Sequence, residues 1–377
     1  MTTPYVRRKK STTVRLIVRA VSGLGLRVAF RVLEHLAPAA GGRLALRLWC
    51  TPPRRRGTVA TVRVGRGGAG TFTGPYDGTP FTVAVNGSTV TGRAWGSGPL
   101  VYLAHGWGGS ATQLHGFVPP LVAAGYRVVA WDALSHGRSA PGALGPHRGT
   151  LVEFADALTA VVRAHGPGHA VIAHSLGASA TGLAVLDGLP VRRLVLIAPL
   201  ADPLPYLGTF RRTLGIGPAT ADRFIAELES LAGRPMADFH LPERARRRVG
   251  GLPPLLILQD RDDREVAPTD GAALAGAWPG RLHRTSGLGH ARILADPDVV
   301  LRVVDFVGES GTGTGSRPAP TPGTSTGTST STSTSTGTGT GTGTGEVAPV
   351  SPADPHPPGR EAPLPVPQEA AGGPSSR

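Results

Sequence analysis

The chain has 377 residues, of which 40% are hydrophobic, and it contains a single cysteine, Cys50. This composition excludes a collagen-like or wholly disordered chain, an intramolecular disulfide and a cysteine-based metal site. The formal net charge of +14 arises in residues 1–66, which hold 15 Lys or Arg against one acid, and no nucleic-acid-binding pattern accompanies it, so we expect no nucleic-acid partner.

The N-terminal region, residues 1–66, combines this charge with helical spacing. Between Leu26 and Leu36 the basic side chains fall on one face, and the stretch around Arg43 and Arg47 repeats the arrangement. The opposite face of the first stretch holds Val28, Ala29, Val32, Leu33 and Leu36. We predict basic amphipathic helices that pack on the following domain; the alternative is peripheral contact of residues 1–50 with an anionic membrane.

A targeting signal is not expected at the N-terminus. Arg15, Arg19 and Arg27 interrupt the apolar region that a secretory signal or a spanning helix needs. The pair Arg7-Arg8 leaves a twin-arginine export signal as an alternative. Because the single cysteine is also compatible with a reducing compartment, we expect a cytoplasmic location.

Residues 80–307 follow the pattern of an α/β domain. Phe81–Val85 and Thr89–Trp95 alternate apolar and polar residues about the turn signal Asn86-Gly87, which predicts two antiparallel strands at the start of the sheet. Five apolar runs then predict buried parallel strands: Leu100–Ala104, Tyr126–Trp131, Ala170–Ala173, Leu194–Ala198 and Leu255–Leu258. Helical stretches are predicted between most of them, at Thr112–Ala124, Leu151–Ala164, Leu176–Leu189 and 219–248. This alternation predicts a mostly parallel, doubly wound sheet.

Two further regions complete the predicted organisation. The interval 200–251 is too long for a simple crossover, so we expect a helical cap over the carboxyl edge of the sheet. Residues 310–377 are rich in Gly, Thr and Ser and then in Pro, and such a segment has too little apolar surface to fold, so we predict a disordered tail.

The most informative stretch is 170–178, Ala-Val-Ile-Ala-His-Ser-Leu-Gly-Ala, in which an apolar strand runs directly into Ser175. Ala173 and Gly177 flank this serine at −2 and +2, and a strained strand-to-helix turn needs such small neighbours. The stretch resembles the G-x-S-x-G nucleophile elbow of the α/β-hydrolase superfamily, with Ala in place of the first Gly. The resemblance implies an α/β-hydrolase fold with Ser175 as the nucleophile.

Two loops after earlier strands strengthen the resemblance. Residues 103–109, Leu-Ala-His-Gly-Trp-Gly-Gly, resemble the family's HG loop, and residues 131–139 resemble its structural D-x-x-x-x-G-x-S loop. By position in the family pattern, the backbone N–H groups of Trp107 and Leu176 are expected to form an oxyanion hole, which stabilises the negative charge on a reacting carbonyl oxygen.

The acid and the base are expected from two later loops. Residues 255–266 resemble the strand and loop written G-x-x-D-x-x-V, in which Asp260 takes the glycine position and Asp263 the acid position. Asp262 and Asp202 stay open as alternative acids. Residues 286–294, Ser-Gly-Leu-Gly-His-Ala-Arg-Ile-Leu, match the family's G-x-x-H loop, which makes His290 the expected base.

The order Ser, Asp, His implies a serine hydrolase that cleaves a carboxylic ester, a thioester or a lactone through an acyl-enzyme on Ser175. Its expected partner is a small-molecule substrate, and no cofactor or metal is expected. An amidase or a haloperoxidase-like activity on the same fold is one alternative. The other is a non-catalytic interaction protein tethered by its basic N-terminal helices.

Overall fold

The computed structural model describes residues 12–52 and 77–309, with side chains described from residue 24 onward. The segments 1–11, 53–76 and 310–377 lie outside the described residues. The disordered tail predicted for 310–377 therefore stays a prediction, and most of the basic side chains of residues 1–66 lie outside the described residues.

An eight-stranded sheet forms the centre of the molecule. Its strands are β1 (Thr79–Val85), β2 (Ser88–Trp95), β3 (Leu100–Ala104), β4 (Arg127–Trp131), β5 (Gly168–His174), β6 (Val191–Ile197), β7 (Leu255–Asp260) and β8 (Gly280–Thr285). They lie in the order β1-β2-β4-β3-β5-β6-β7-β8; β2 pairs antiparallel with β1 and β4, and all other neighbouring strands pair in parallel. The predicted mostly parallel α/β sheet is confirmed.

The predicted hairpin opens this sheet. Asn86 and Gly87 have φ values of 47° and 74°, the left-handed conformations that a tight two-residue turn requires. Val85 pairs with Ser88 on either side of the turn.

Helices precede the sheet and cover both of its faces. They are α1 (Thr12–Leu36), α2 (Pro38–Trp49), α3 (Val118–Ala123), α4 (Leu151–His165), α5 (Leu176–Leu186), α6 (Leu204–Leu214), α7 (Pro218–Ala232), α8 (Leu241–Arg247), α9 (Pro268–Ala275), α10 (Gly289–Arg292) and α11 (Pro297–Gly308). Successive residues of β5 point to opposite faces: Val171 packs in the cluster that contains Leu183 of α5, and Ile172 in the cluster that contains Val303 of α11. The predicted helix at 112–124 begins as a 3₁₀ turn, Ala111–Phe117, and continues as α3.

The N-terminal helices pack on the helices inserted between β6 and β7. Their shared apolar cluster includes Phe30 of α1, Leu46 of α2 and Phe224 of α7. Helix α2 approaches α7 closely because Gly41 and Gly42 carry no side chain: a Cβ on either would lie 2.7 Å from an α7 side chain. This close approach fixes α2 beside the inserted helices.

Only part of the apolar face predicted for α1 packs: Ala29 and Leu33 are half-buried, and the rest of that face is exposed. Val28, Val32 and Leu36 are 57%, 49% and 79% exposed, whereas Phe30 is fully buried. The physical reason is a polar contact: the carboxylate of Glu34 accepts hydrogen bonds from the N–H groups of Ala219 and Thr220 at the start of α7. That contact and the burial of Phe30 turn Val28, Val32 and Leu36 outward.

Among the described residues, no helix has both the length and the apolar character needed to cross a membrane. The cytoplasmic location stays a prediction.

Candidate active site

Ser175 lies between β5 and α5 in a backbone conformation that side chains rarely adopt, with φ 54° and ψ −124°. Its neighbours are small because the turn leaves no room. A Cβ on Gly177 would lie 2.2 Å from the carbonyl oxygen of His105, and a Cβ on Gly106 would lie 2.9 Å from Cβ of Ser175. The strained turn presents the serine hydroxyl at the wall of a cavity.

The structure brings the three residues predicted for catalysis together. Nε2 of His290 lies 2.9 Å from Oγ of Ser175, and Nδ1 of His290 lies 2.8 Å from Oδ2 of Asp263. The side chains of His290 and Asp263 are 5% and 0% exposed. His290 is held in turn by a hydrogen bond between its carbonyl oxygen and Nε2 of His174, at 2.9 Å. This arrangement can pass the serine proton to the imidazole.

Asp263 is oriented by the backbone of its own loop. Its Oδ1 accepts hydrogen bonds from the N–H groups of Glu265 at 2.8 Å and Val266 at 3.0 Å. These bonds leave Oδ2 facing His290, where a carboxylate accepts the second imidazole N–H and fixes the tautomer.

The two alternative acids have other partners. Oδ2 of Asp262 accepts a hydrogen bond from the N–H of Gly287, and Oδ1 of Asp202 accepts one from the N–H of Leu204. The ion-pair contact of Asp202 is with His240, at 4.0 Å. Of the three aspartates, only Asp263 is within hydrogen-bonding distance of His290.

Asp260, which replaces the family's glycine, connects the two loops of the site. Its buried carboxylate accepts hydrogen bonds from the N–H groups of Asp262 and Leu288 and from the hydroxyl of Thr285. Burial opposes ionisation, yet these hydrogen bonds hold the pKa of Asp260 below its ordinary value. Asp260 therefore joins the loop of Asp263 to the loop of His290.

The two residues predicted for the oxyanion hole, Trp107 and Leu176, line the cavity beside Ser175. Leu176 is the first residue of α5, and the first amides of a helix have no partner within it. Behind Trp107 lies the buried imidazole of His136, at 5.2 Å between ring centroids. Burial, together with the neighbouring His105, lowers the pKa of His136 to about 4.

The cavity itself has a volume of about 550 Å³ and a mostly apolar lining. The inserted helices contribute Leu207, Leu228, Leu231, Ala232, Met236 and Phe239. Arg264 and Glu265 are charged, and Oε2 of Glu265 lies 3.8 Å from Nε2 of His290. In the described part of the chain, no group of three or more His, Cys, Asp or Glu could hold a metal ion.

Three cavity features were not predicted from the sequence. Trp49 and Cys50, from the end of α2, line the cavity, and burial raises the pKa of the Cys50 thiol to about 12. The hydroxyl of Tyr206 donates a hydrogen bond to Asp270 at 2.7 Å and accepts one from the N–H of Ala267 at 2.8 Å. This tyrosine connects α6 to the segment that follows the acid loop.

Comparisons with known proteins agree with this fold. A family model of the alpha/beta hydrolase fold matches residues 99–243. A non-heme haloperoxidase of Rhodococcus erythropolis is 41% identical over 61 residues, which is 16% of this chain and 22% of that protein. The match thus spans less than a quarter of the relative's length.

Solved structures of hydrolases resemble the chain at low identity. One is a hydrolase from Pseudomonas aeruginosa PA01, with a TM-score of 0.46 and 21% identity over 62% of this chain and all of that one. Another is the esterase RhEst1 from Rhodococcus sp. ECU1013, with a TM-score of 0.42 and 22% identity over 60% and 97% of the two chains. With its sheet order and its strand-to-helix serine turn, the chain has the α/β-hydrolase fold, and residues 99–243 match the model of that fold.

Proposed function

We propose that this hydrolase cleaves carboxylic esters through an acyl-enzyme on Ser175. The observation that carries the proposal is the continuous chain of contacts from Ser175 Oγ through the imidazole of His290 to the carboxylate of Asp263. A hydroxyl is a weak nucleophile by itself, and a base at 2.9 Å that is oriented by a buried acid removes this weakness.

In the first half-reaction, Oγ of Ser175 gives its proton to Nε2 of His290 and attacks the ester carbonyl carbon. The carbonyl oxygen gains negative charge, which the N–H groups of Trp107 and Leu176 stabilise. The bond to the alcohol oxygen then breaks, and the alcohol leaves with the proton from His290. In the second half-reaction, water gives a proton to His290 and attacks the acyl-enzyme, which releases the carboxylic acid and returns the proton to Ser175.

The lining of the cavity favours an ester with an apolar acyl group. Leucine, methionine and aromatic side chains surround the space beside Ser175, and each methylene moved from water to such a lining gains about 0.8 kcal/mol. Esters are favoured over amides because an alcohol leaves with less help than an amine does. Thioesters and lactones would react by the same two steps.

A haloperoxidase-like activity is the second candidate, and the identity to the R. erythropolis protein favours it. Hydrogen peroxide is a nucleophile like water, so it could take the acyl group from Ser175 and yield a peracid that oxidises a halide. Halogenation that requires peroxide, a carboxylic acid and Ser175 would support this candidate.

The test is covalent labelling with a fluorophosphonate probe, together with hydrolysis of p-nitrophenyl esters. We expect the wild-type chain to be labelled and Ser175→Ala and His290→Ala to lose both labelling and hydrolysis. Asp202→Asn is the matched control, because this aspartate has no contact with His290, and it should be labelled like the wild type. A folded wild-type chain that is neither labelled nor active would favour the non-catalytic, tethered interaction protein.

A further inference from the structure

Helix α1 carries an exposed row of apolar side chains. In the described part of the chain, seven large hydrophobic side chains are exposed, and four of them belong to α1: Leu24 (66%), Val28 (57%), Val32 (49%) and Leu36 (79%). We call these four residues the α1 stripe. Their spacing of four places them along one side of the helix over about 18 Å. The other three lie apart from one another: Leu204 on α6, Val249 in the loop after α8 and Leu301 on α11.

The orientation of α1 is fixed by contacts on its other side. Phe30 is fully buried in the cluster shared with α2 and α7, and Glu34 binds the first N–H groups of α7. Nε of Arg27 donates a hydrogen bond of 3.0 Å to the carbonyl oxygen of Thr213, at the end of α6. Turning the stripe inward would break all three contacts, so its exposure is built into the fold.

The sequence that contains the stripe is strongly basic. Arg31 is exposed on the same side of the helix, and Glu34, the single acid in residues 1–66, is turned towards α7. The same 66 residues hold 15 Lys or Arg. The strength with which an amphipathic helix binds a membrane surface rises with the apolar area that it buries and with the attraction of its positive charge to anionic headgroups.

We propose that the α1 stripe binds the surface of an anionic phospholipid membrane, with α1 lying along that surface. Helix α1 leads into α2, whose Trp49 lines the cavity, and α1 packs on α6 and α7, which line it as well. Membrane binding would therefore hold the side of the cavity that α2, α6 and α7 line close to the lipid surface. The proposal does not rest on catalysis, and Ser175→Ala should bind vesicles as the wild type does.

The experiment is vesicle sedimentation with the full chain. The vesicles are phosphatidylcholine alone, or phosphatidylcholine with about one third phosphatidylglycerol. We expect binding to the anionic vesicles that weakens as the salt concentration rises. Val28→Glu should lower the partition constant about tenfold, because it removes apolar contact and adds a repelled charge. Leu301→Glu is the matched control, since it makes the same change at a side chain that is 58% exposed on α11.

Two further measurements make the outcome unambiguous. Leu36→Ser, at the most exposed position of the stripe, weakens binding without adding charge, and melting curves show that each variant is folded. Equal binding to neutral and anionic vesicles, or an equal loss in Leu301→Glu, overturns the proposal. A wild-type dimer that Val28→Glu dissociates, without vesicle binding, assigns the stripe to a second copy of the chain and overturns it too.

Discussion

The cavity beside Ser175 has two walls of different construction. One wall is made by the loops that follow β3, β5, β7 and β8, where polar groups have fixed partners at hydrogen-bonding distance. The other is made by the ends of α2, α6 and α7, where apolar side chains such as Trp49, Leu207 and Leu228 meet without directional bonds.

This difference separates chemistry from substrate choice. Hydrogen bonds at the sheet edge set the positions of reacting atoms, and a small displacement there changes the rate constant by orders of magnitude. Apolar contacts at the helical wall change substrate affinity in small steps, about 0.8 kcal/mol for each methylene. Variants on the two walls should therefore differ in both the size and the kind of their effect.

The largest effect is expected at Asp263, the acid on the wall that the loops form. Asp263→Asn removes the charge that stabilises the imidazolium and favours the wrong tautomer of His290, so kcat for an ester should fall by about 10⁴-fold. Asp262→Asn should lower kcat by about tenfold or less, since Asp262 accepts its hydrogen bond from Gly287 rather than from His290. Steady-state kinetics and melting curves of both variants check this. A greater loss in Asp262→Asn than in Asp263→Asn would contradict the assignment.

A pH effect on stability is expected from His136, the buried imidazole behind Trp107. Burial lowers the pKa of His136 to about 4, below the 6.5 of an unfolded chain. The unfolded state therefore binds a proton first, and stability present above pH 6.5 is lost as the pH falls towards 4. For this side chain the loss is about 3 kcal/mol at pH 4.

Urea unfolding of the wild type and His136→Gln at neutral pH and at about pH 4.5 measures this loss. The variant has no imidazole to protonate, so its stability should fall less between the two pH values. An equal fall in both proteins would mean that other groups cause the acid sensitivity.

The helical wall should show a smaller effect that depends on the substrate. Trp49→Ala removes part of the apolar lining, so kcat/KM for a long-chain ester should fall about tenfold while that for an acetate ester changes little. Phe210→Ala is the matched control: Phe210 packs against Trp49 at 5.3 Å between ring centroids but does not line the cavity. If Trp49→Ala lowers kcat/KM for both esters equally, Trp49 supports the fold and not the acyl site.

The same contrast explains what the sequence could predict. The turns that present Ser175, Asp263 and His290 depend on residues within a few positions, and the small residues Ala173 and Gly177 mark the first of them directly. The place of Trp49 in the cavity depends on the packing of α2 against α7, far away in the chain. No local pattern carries that information.

The residues of β8 and the side of α1 that packs were not assigned from the sequence, for related reasons. Strand β8 lies at the edge of the sheet, and its residues Arg281, His283 and Arg284 lack the apolar alternation of a buried strand. For α1, the sequence shows the apolar periodicity but not which side of the helix packs on the domain. That side is set by the burial of Phe30 and by the contact of Glu34 with α7. Periodicity ranks the faces of a helix by polarity, whereas tertiary contacts decide which face is buried.

The smallest effect is expected at the end of the described residues, where two truncations that differ only in Glu309 should differ in stability. Glu309, the last described residue, pairs with Arg281 through two hydrogen bonds of 2.6 and 2.7 Å, and with Arg193, whose side chain is 8% exposed. Truncation after Gly308 removes these partners and should lower stability by about 1 kcal/mol and Tm by about 3 °C.

Truncation after Glu309 keeps both pairs and removes only residues 310–377, whose composition offers little apolar surface to bury. Its Tm should therefore match that of the full chain, and kcat/KM should be unchanged in both truncations because Glu309 does not line the cavity. Calorimetry of the two truncated chains, with Glu309→Ala in the full chain as the control, separates the ion pairs from the segment beyond them. An equal loss of Tm in both truncations would mean that the residues beyond Glu309 stabilise the hydrolase domain by contacts of their own.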